Sequence, residues 1–244
     1  MPRTAKETST TTAPVITPFS SDADFLTCAF NWLRTRVMRL AAKQNLADMN
    51  KPGMEPTRHS VVGRPPKRAA SVIAGQRLED AIRAESEAQA IYRSRTEEHR
   101  TNPNSTFTLG IDTLTSEAGL NEASQLVLFA LAAPSIGVQL GEDILGGGRY
   151  FSGTCTIEQL ITLILDNPDD IDARINARKI FMPSGTLLRH NLITVEVGNR
   201  FLHPEEVPQA YVRLTAKAFA TLTGHPELAD EGSTSAEDAG KMGA

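Results

Sequence analysis

The sequence predicts a mainly α-helical protein with one small β-hairpin, an N-terminal helical segment preceding a C-terminal unit of helix, helix and wing. Three observations predict it. Apolar residues recur at helical spacing in several long stretches. Behind Cys155, a Thr156-capped helix with Leu160, Ile161, Ile164 and Leu165 on one side is followed by a second, basic helix. The stretch Leu192-Ile193-Thr194-Val195-Glu196-Val197 alternates like a half-buried strand, with Gly198-Asn199 as a two-residue turn and Arg200-Phe201-Leu202 beginning the return. This is the element order that a winged-helix domain requires.

From the N-terminus, residues 1–21 are polar, Thr-rich and interrupted by Pro14 and Pro18, a composition expected to form a disordered tail. Residues 22–106 form the helical segment. Its first helix is expected from Asp22 to about Lys43, with Phe25, Ala29, Trp32 or Leu33, Val37 and Leu40 as an apolar stripe among Arg34, Arg36 and Arg39. Residues 45–70 contain four prolines and two glycines without a sustained period and are expected to be a basic linker. A second long helix follows from Ala70 to about Arg100, with a thin, Ala-rich apolar face that includes Ile73, Leu78, Ile82 and Tyr92.

Residues 107–224 are assigned to the winged-helix-like domain. Asn121 caps a helix that is apolar on nearly every side, Glu122 to Ala132, expected to end at Pro134 and to form the central core element. The Gly-rich stretch from Pro134 to Gly153 is expected to be a loop. Asn167 and Pro168 end the Thr156-capped helix. The basic helix runs from Ile171 to Ile180, with Ile171, Ile175 and Phe181 expected inside and Arg174, Arg178 and Lys179 outside. Gln209 to Leu222 is the expected closing helix, and residues 225–244 a second disordered tail.

The chain has 244 residues and a formal net charge of −4, so no global field draws it to nucleic acid or anionic lipid. Two cysteines, Cys28 and Cys155, have neither metal-ligand spacing nor disulfide density, and no apolar run approaches the roughly 20 residues of a membrane span. A cytoplasmic protein without membrane contact is expected. No Gly-Lys-Ser/Thr element follows the Gly-rich segment, and the only Gly-Lys pair is Gly240-Lys241. His203-Pro204-Glu205 lacks the Cys pair of a zinc deaminase, and no Gly-x-Ser-x-Gly elbow is present. These patterns leave no catalytic, cofactor or metal residues to nominate.

The basic residues are the better candidates. Arg174, Arg178 and Lys179 on the second helix, Arg189 and His190 before the wing, and Arg200 after its turn stand where a winged helix places partner or nucleic-acid contacts. Against DNA stand Asp169, Asp170 and Asp172 at the front of that helix, since carboxylates repel phosphate. A second basic run, Arg58 to Arg77, holds only half of an AT-hook and reads as solvated linker.

Gly119-Leu120-Asn121-Glu122 leading into Leu126-Val127-Leu128-Phe129-Ala130-Leu131-Ala132 resembles the segment before the ATPase core in a group of bacterial AAA+ proteins. Leu187-Leu188-Arg189-His190-Asn191-Leu192-Ile193 is similar to that family's entry into the wing, with Asn191 where a glycine is usual, and Leu222-Thr223-Gly224 is similar to its junction motif. The resemblance implies a bacterial N-terminal region without the ATPase core, which contacts a partner subunit and does not hydrolyse ATP. The function expected is therefore a non-catalytic adaptor working with an AAA+ ATPase subunit; the alternative is a winged-helix DNA-binding transcriptional regulator.

Overall fold

Ser21 starts the first helix: its hydroxyl accepts the Asp24 amide at 3.2 Å, and Asp22 and Asp24 place negative charge on the dipole's positive end. The computed structural model describes residues 17–51, 67–146, 155–196 and 209–229. Helix α1 spans Asp22–Asn50 and α2 spans Lys67–Thr101, so helix replaces both ends of the expected 45–70 linker, and 52–66 lie outside the described residues. Asp24 meets Arg95 while Arg36 meets Glu85, so α1 and α2 run antiparallel. Their 29 and 35 residues correspond to rods of about 43 and 52 Å. The Ala-rich face of α2 is the one used: Ala74, Ala81 and Tyr92 are buried, whereas Ile73 and Ile82 are exposed. Small side chains let the two backbones approach where isoleucines would hold them apart.

Part of the expected 1–21 tail packs on the fold. Phe19 is buried, edge-on to Phe25 at 5.2 Å, with the Arg95 guanidinium 4.3 Å from its ring centroid. Residues 1–16 lie outside the described residues.

Helix α3, Gly110–Ala118, and α5, Val138–Leu145, were not anticipated. Helix α4, Glu122–Ile136, begins at the Asn121 cap as expected, but Pro134 sits within its last turn instead of stopping it. The Gly137 amide reaches back to the Ala133 carbonyl at 3.0 Å and closes the turn past the proline, and α5 lies within the expected Gly-rich loop. Gly110 explains how α3 meets the C-terminal helix: a Cβ there would lie 2.0 Å from the Thr221 carbonyl oxygen.

The C-terminal elements are β1 (Cys155–Thr156), α6 (Ile157–Ile164), α7 (Ile171–Arg178), a 3₁₀ turn (Lys179–Phe181), α8 (Thr186–Arg189), β2 (Ile193–Glu196), β3 (Tyr211–Leu214) and α9 (Ala216–Thr223). Thr156 and Gln159 form the full capping box of α6. The sheet is antiparallel with order β1-β3-β2, pairing Cys155 and Val195 with Val212 on either side. The strand paired with β2 is thus Tyr211–Leu214, in what was expected to be the first half of the closing helix. Tyr-Val-Arg-Leu alternates exposed and buried, and Thr215 caps α9 behind it by accepting the Ala218 amide at 3.2 Å. The expected turn Gly198-Asn199 and return Arg200-Phe201-Leu202 lie outside the described residues. A 3₁₀ turn, Pro226–Ala229, extends the fold into the expected second tail.

One apolar core joins the helical segment to the winged-helix elements. Phe25, Trp32 and Leu33 of α1 belong to the same cluster as Leu128 and Phe129 of α4, Leu160 of α6, Ile193 of β2 and Val212 of β3. Phe25 and Phe129 meet at 5.7 Å, and Trp32 and Tyr92 at 4.9 Å.

Candidate partner-contact site

Of the residues singled out in the sequence, Arg174 and Arg178 lie on α7, Lys179 begins the turn after it, and Arg189 and His190 close α8; α7 is held in place by α6, and its connection to α6 by α1. Asp170 caps it, its Oδ1 accepting the Ala173 amide at 3.0 Å. From α1, Arg36 serves the end of α6: its Nε donates to the Leu163 carbonyl at 2.6 Å and one Nη to the Ile164 carbonyl at 2.9 Å. Those carbonyls belong to the last turn of a helix, where backbone acceptors lack intrahelical partners. The same guanidinium reaches Asp166 at 3.1 Å, and Lys43 reaches the Asn167 side chain at 3.0 Å, so the α6–α7 connection is tied to α1.

The orientation of α7 reverses the expected one. Ile171 and Ile175, expected inside, are 72% and 53% exposed, and Ala177 is the buried residue of the helix. Phe181 alone of the three expected residues is inside. The pattern offered two stripes at one-turn spacing, Ile171/Ile175 and Ala173/Ala177. In the fold the alanine side is turned inward. Arg174 lies between the two stripes, and its guanidinium is bound to Glu158 of α6 and donates to the Pro168 carbonyl at 3.0 Å, which ties α7 to α6.

Arg174 is therefore a bridge between α6 and α7 and not an outward contact. Arg178 is half-buried at the rim, and Lys179 is exposed, with its ammonium 2.8 Å from the Asn176 side-chain oxygen. Arg189 is exposed at the end of α8, and His190 is half-buried as its C-cap. Arg200 lies outside the described residues. Gly185 lets α8 start close against the 3₁₀ turn, since a Cβ there would lie 2.5 Å from the Ile180 carbonyl oxygen. Asn191 has φ 53°, the left-handed conformation expected of it, and its carbonyl accepts the Thr215 hydroxyl at 2.9 Å.

The outward surface of α7 thus runs from acidic Asp169 and Asp172, across Ile171 and Ile175, to Lys179. Sequence reasoning missed its two isoleucines, and the available signal was the competing Ala173/Ala177 pair.

Elsewhere, a cavity of about 710 Å³ opens between α1, α2 and α4, lined by Arg36, Arg39, Arg93, Glu85, Glu122 and Asp166. Each arginine in it is already paired with one of those acids, so it offers no unbalanced charge to a ligand. Both cysteines are buried free thiols. Burial pushes Cys155 up to about 12 and also raises Cys28, so neither has thiolate character. Among the described residues no group of three His, Cys, Asp or Glu is placed to hold a metal ion, and no helix is long and apolar enough to cross a membrane.

The family described as winged helix domain, variant, matches residues 7–232. No curated protein and no solved structure matches the chain.

Proposed function

This chain belongs to the winged helix domain variant family, and from that premise we propose that it is a non-catalytic protein-contact module. The observation that carries the reading is the surface of α7. Fully burying an isoleucine side chain stabilises a fold by about 1.5–3 kcal/mol, and α7 leaves two of them facing solvent beside charges of both signs. Apolar side chains between an acidic and a basic end suit a protein surface; a phosphate backbone calls for unopposed cations. In its finer form the reading is of a cytoplasmic, bacterial adaptor that works beside an AAA+ ATPase subunit, as the resemblance around Gly119–Ala132 and Leu187–Ile193 suggests.

A DNA-binding regulator is the second reading, favoured by the family and by exposed Arg189 beside the sheet. Two binding measurements on the full chain separate them. In the first, the chain is immobilised and challenged with the AAA+ ATPase subunit encoded nearest to it; retention is expected. In the second, duplex DNA is titrated at about 0.15 M salt, and no saturable binding is expected. Saturable duplex binding that weakens steeply with salt and disappears in the Arg178→Glu, Lys179→Glu double variant overturns the protein-contact reading.

A further inference from the structure

We propose that α7 is a two-fold self-association surface whose partner is a second copy of this chain. The inference rests on reading α7 as a protein-contact face and names the occupant of that face. Three exposed residues follow one another along it: Asp172, then Ile175 three residues on, then Lys179 four residues further. At helical rise these steps are about 4.5 and 6 Å, so an acid and a base stand at nearly equal distances on either side of an apolar centre.

That arrangement is complementary to itself. A second copy turned by 180° about an axis through Ile175 runs antiparallel to the first. Its Lys179 lies opposite Asp172, its Asp172 lies opposite Lys179, and the two Ile175 side chains meet on the axis. Ile171 then rests beside the aliphatic stem of the opposing Lys179. A parallel arrangement, or a partner of one uniform charge, leaves one end of α7 facing like charge. The charges bounding the isoleucines are free for this role in different degrees. Asp170 is used as the cap and Arg174 is bound to Glu158, whereas Asp172 is exposed and the Lys179 ammonium, touching Asn176, has further protons to donate. An isologous contact of this kind closes on itself and gives dimers, not filaments. One short helix per copy places it among small, transient interfaces, with ion pairs at the rim that weaken as salt is added.

Sedimentation equilibrium of the full chain over a concentration series tests this. The wild-type weight-average mass should rise with concentration toward twice the chain mass, and Ile175→Asp should remain at one. Asp172→Lys and Lys179→Asp should each abolish the rise, by placing like charges opposite each other. Mixed in equal amounts, these two single variants should associate again, because each supplies the charge that the other now needs. That recovery has no explanation in a general loss of folding. A wild-type chain that stays monomeric throughout overturns the proposal, as does a dimer unaffected by Ile175→Asp or a mixture that fails to recover. Failure here leaves the duplex titration untouched: a chain that stays monomeric and ignores DNA refutes self-association only, whereas duplex binding lost in the Arg178→Glu, Lys179→Glu variant refutes the protein-contact reading and with it the self-association that rests on it.

Discussion

One Nη of Arg36 donates to Glu85 Oε1 at 2.9 Å, with both side chains about nine-tenths buried between α1 and α2. Arg39 binds the other oxygen of the same carboxylate. The pair fixes the register of the helical hairpin, and the remaining donors of Arg36 hold the end of α6. Replacing Arg36 with Ala leaves a buried carboxylate and two backbone carbonyls short of partners, and should cost about 3–5 kcal/mol in urea unfolding.

Gly110→Ala places a methyl group within 2.0 Å of the Thr221 carbonyl oxygen, against backbone that has no rotamer to yield. Helices α3 and α9 must then separate. A loss of about 1–3 kcal/mol is expected, read as a lowered Tm in thermal melts.

Phe129 is fully buried in α4, within reach of the Phe25 and Tyr92 rings at 5.7 and 6.2 Å. Phe129→Ala should leave a cavity costing about 3–5 kcal/mol in denaturant melts. A change within error would mean that α4 is not the centre of the core.

Acid should expose the Asp24–Arg95 tie. Partial burial raises the Asp24 carboxyl, but the Arg95 guanidinium and Ser20 donors outweigh it and hold it below its ordinary value of 3.8. A depressed folded pKa gives stability that is present above 3.8 and lost as pH falls through the folded value. Asp24→Asn should therefore cost about 1 kcal/mol at neutral pH, with the difference closing below that range in melts at stepped pH. Asp22 has the opposite sign: burial raises it, so its contribution is present below 3.8 and is lost as pH rises through the folded value.

Calorimetry with Mg-ATP should be flat. The chain has no Gly-Lys-Ser/Thr element to cradle phosphates, and a saturable micromolar isotherm would contradict the adaptor reading.

Local signals placed much of the helical framework. Thr156 with Gln159, Asn121 with Glu122, and the apolar run Leu126 to Ala132 specify cap, start and burial within a few residues, because their hydrogen bonds and hydrophobic faces are satisfied close by in sequence. The same holds for Asn191, whose left-handed backbone follows from the residue itself. Strand β3 escaped because four residues between Ala210 and Thr215 carry little period, and only pairing with β1 and β2 makes them a strand.

The candidate site was half legible. Arg178, Lys179 and Arg189 lie on or beside the expected helix, as their positions in the chain dictate. Which side of α7 faces outward depended on contacts made at a distance. Ile171/Ile175 and Ala173/Ala177 are equally spaced, and the local rule, hydrophobicity, favours the isoleucines. Contacts distant in sequence decide it: Ala177 is buried against the rest of the fold and Arg174 meets Glu158 across 16 residues, while both isoleucines face solvent. By itself, then, the sequence determined that α7 exists, where it begins and what charges it carries, because caps, propensity and charge act within a turn. Only the tertiary structure decided that its isoleucines face solvent, because rotation about a helix axis is set by the partners its side chains find elsewhere in the chain.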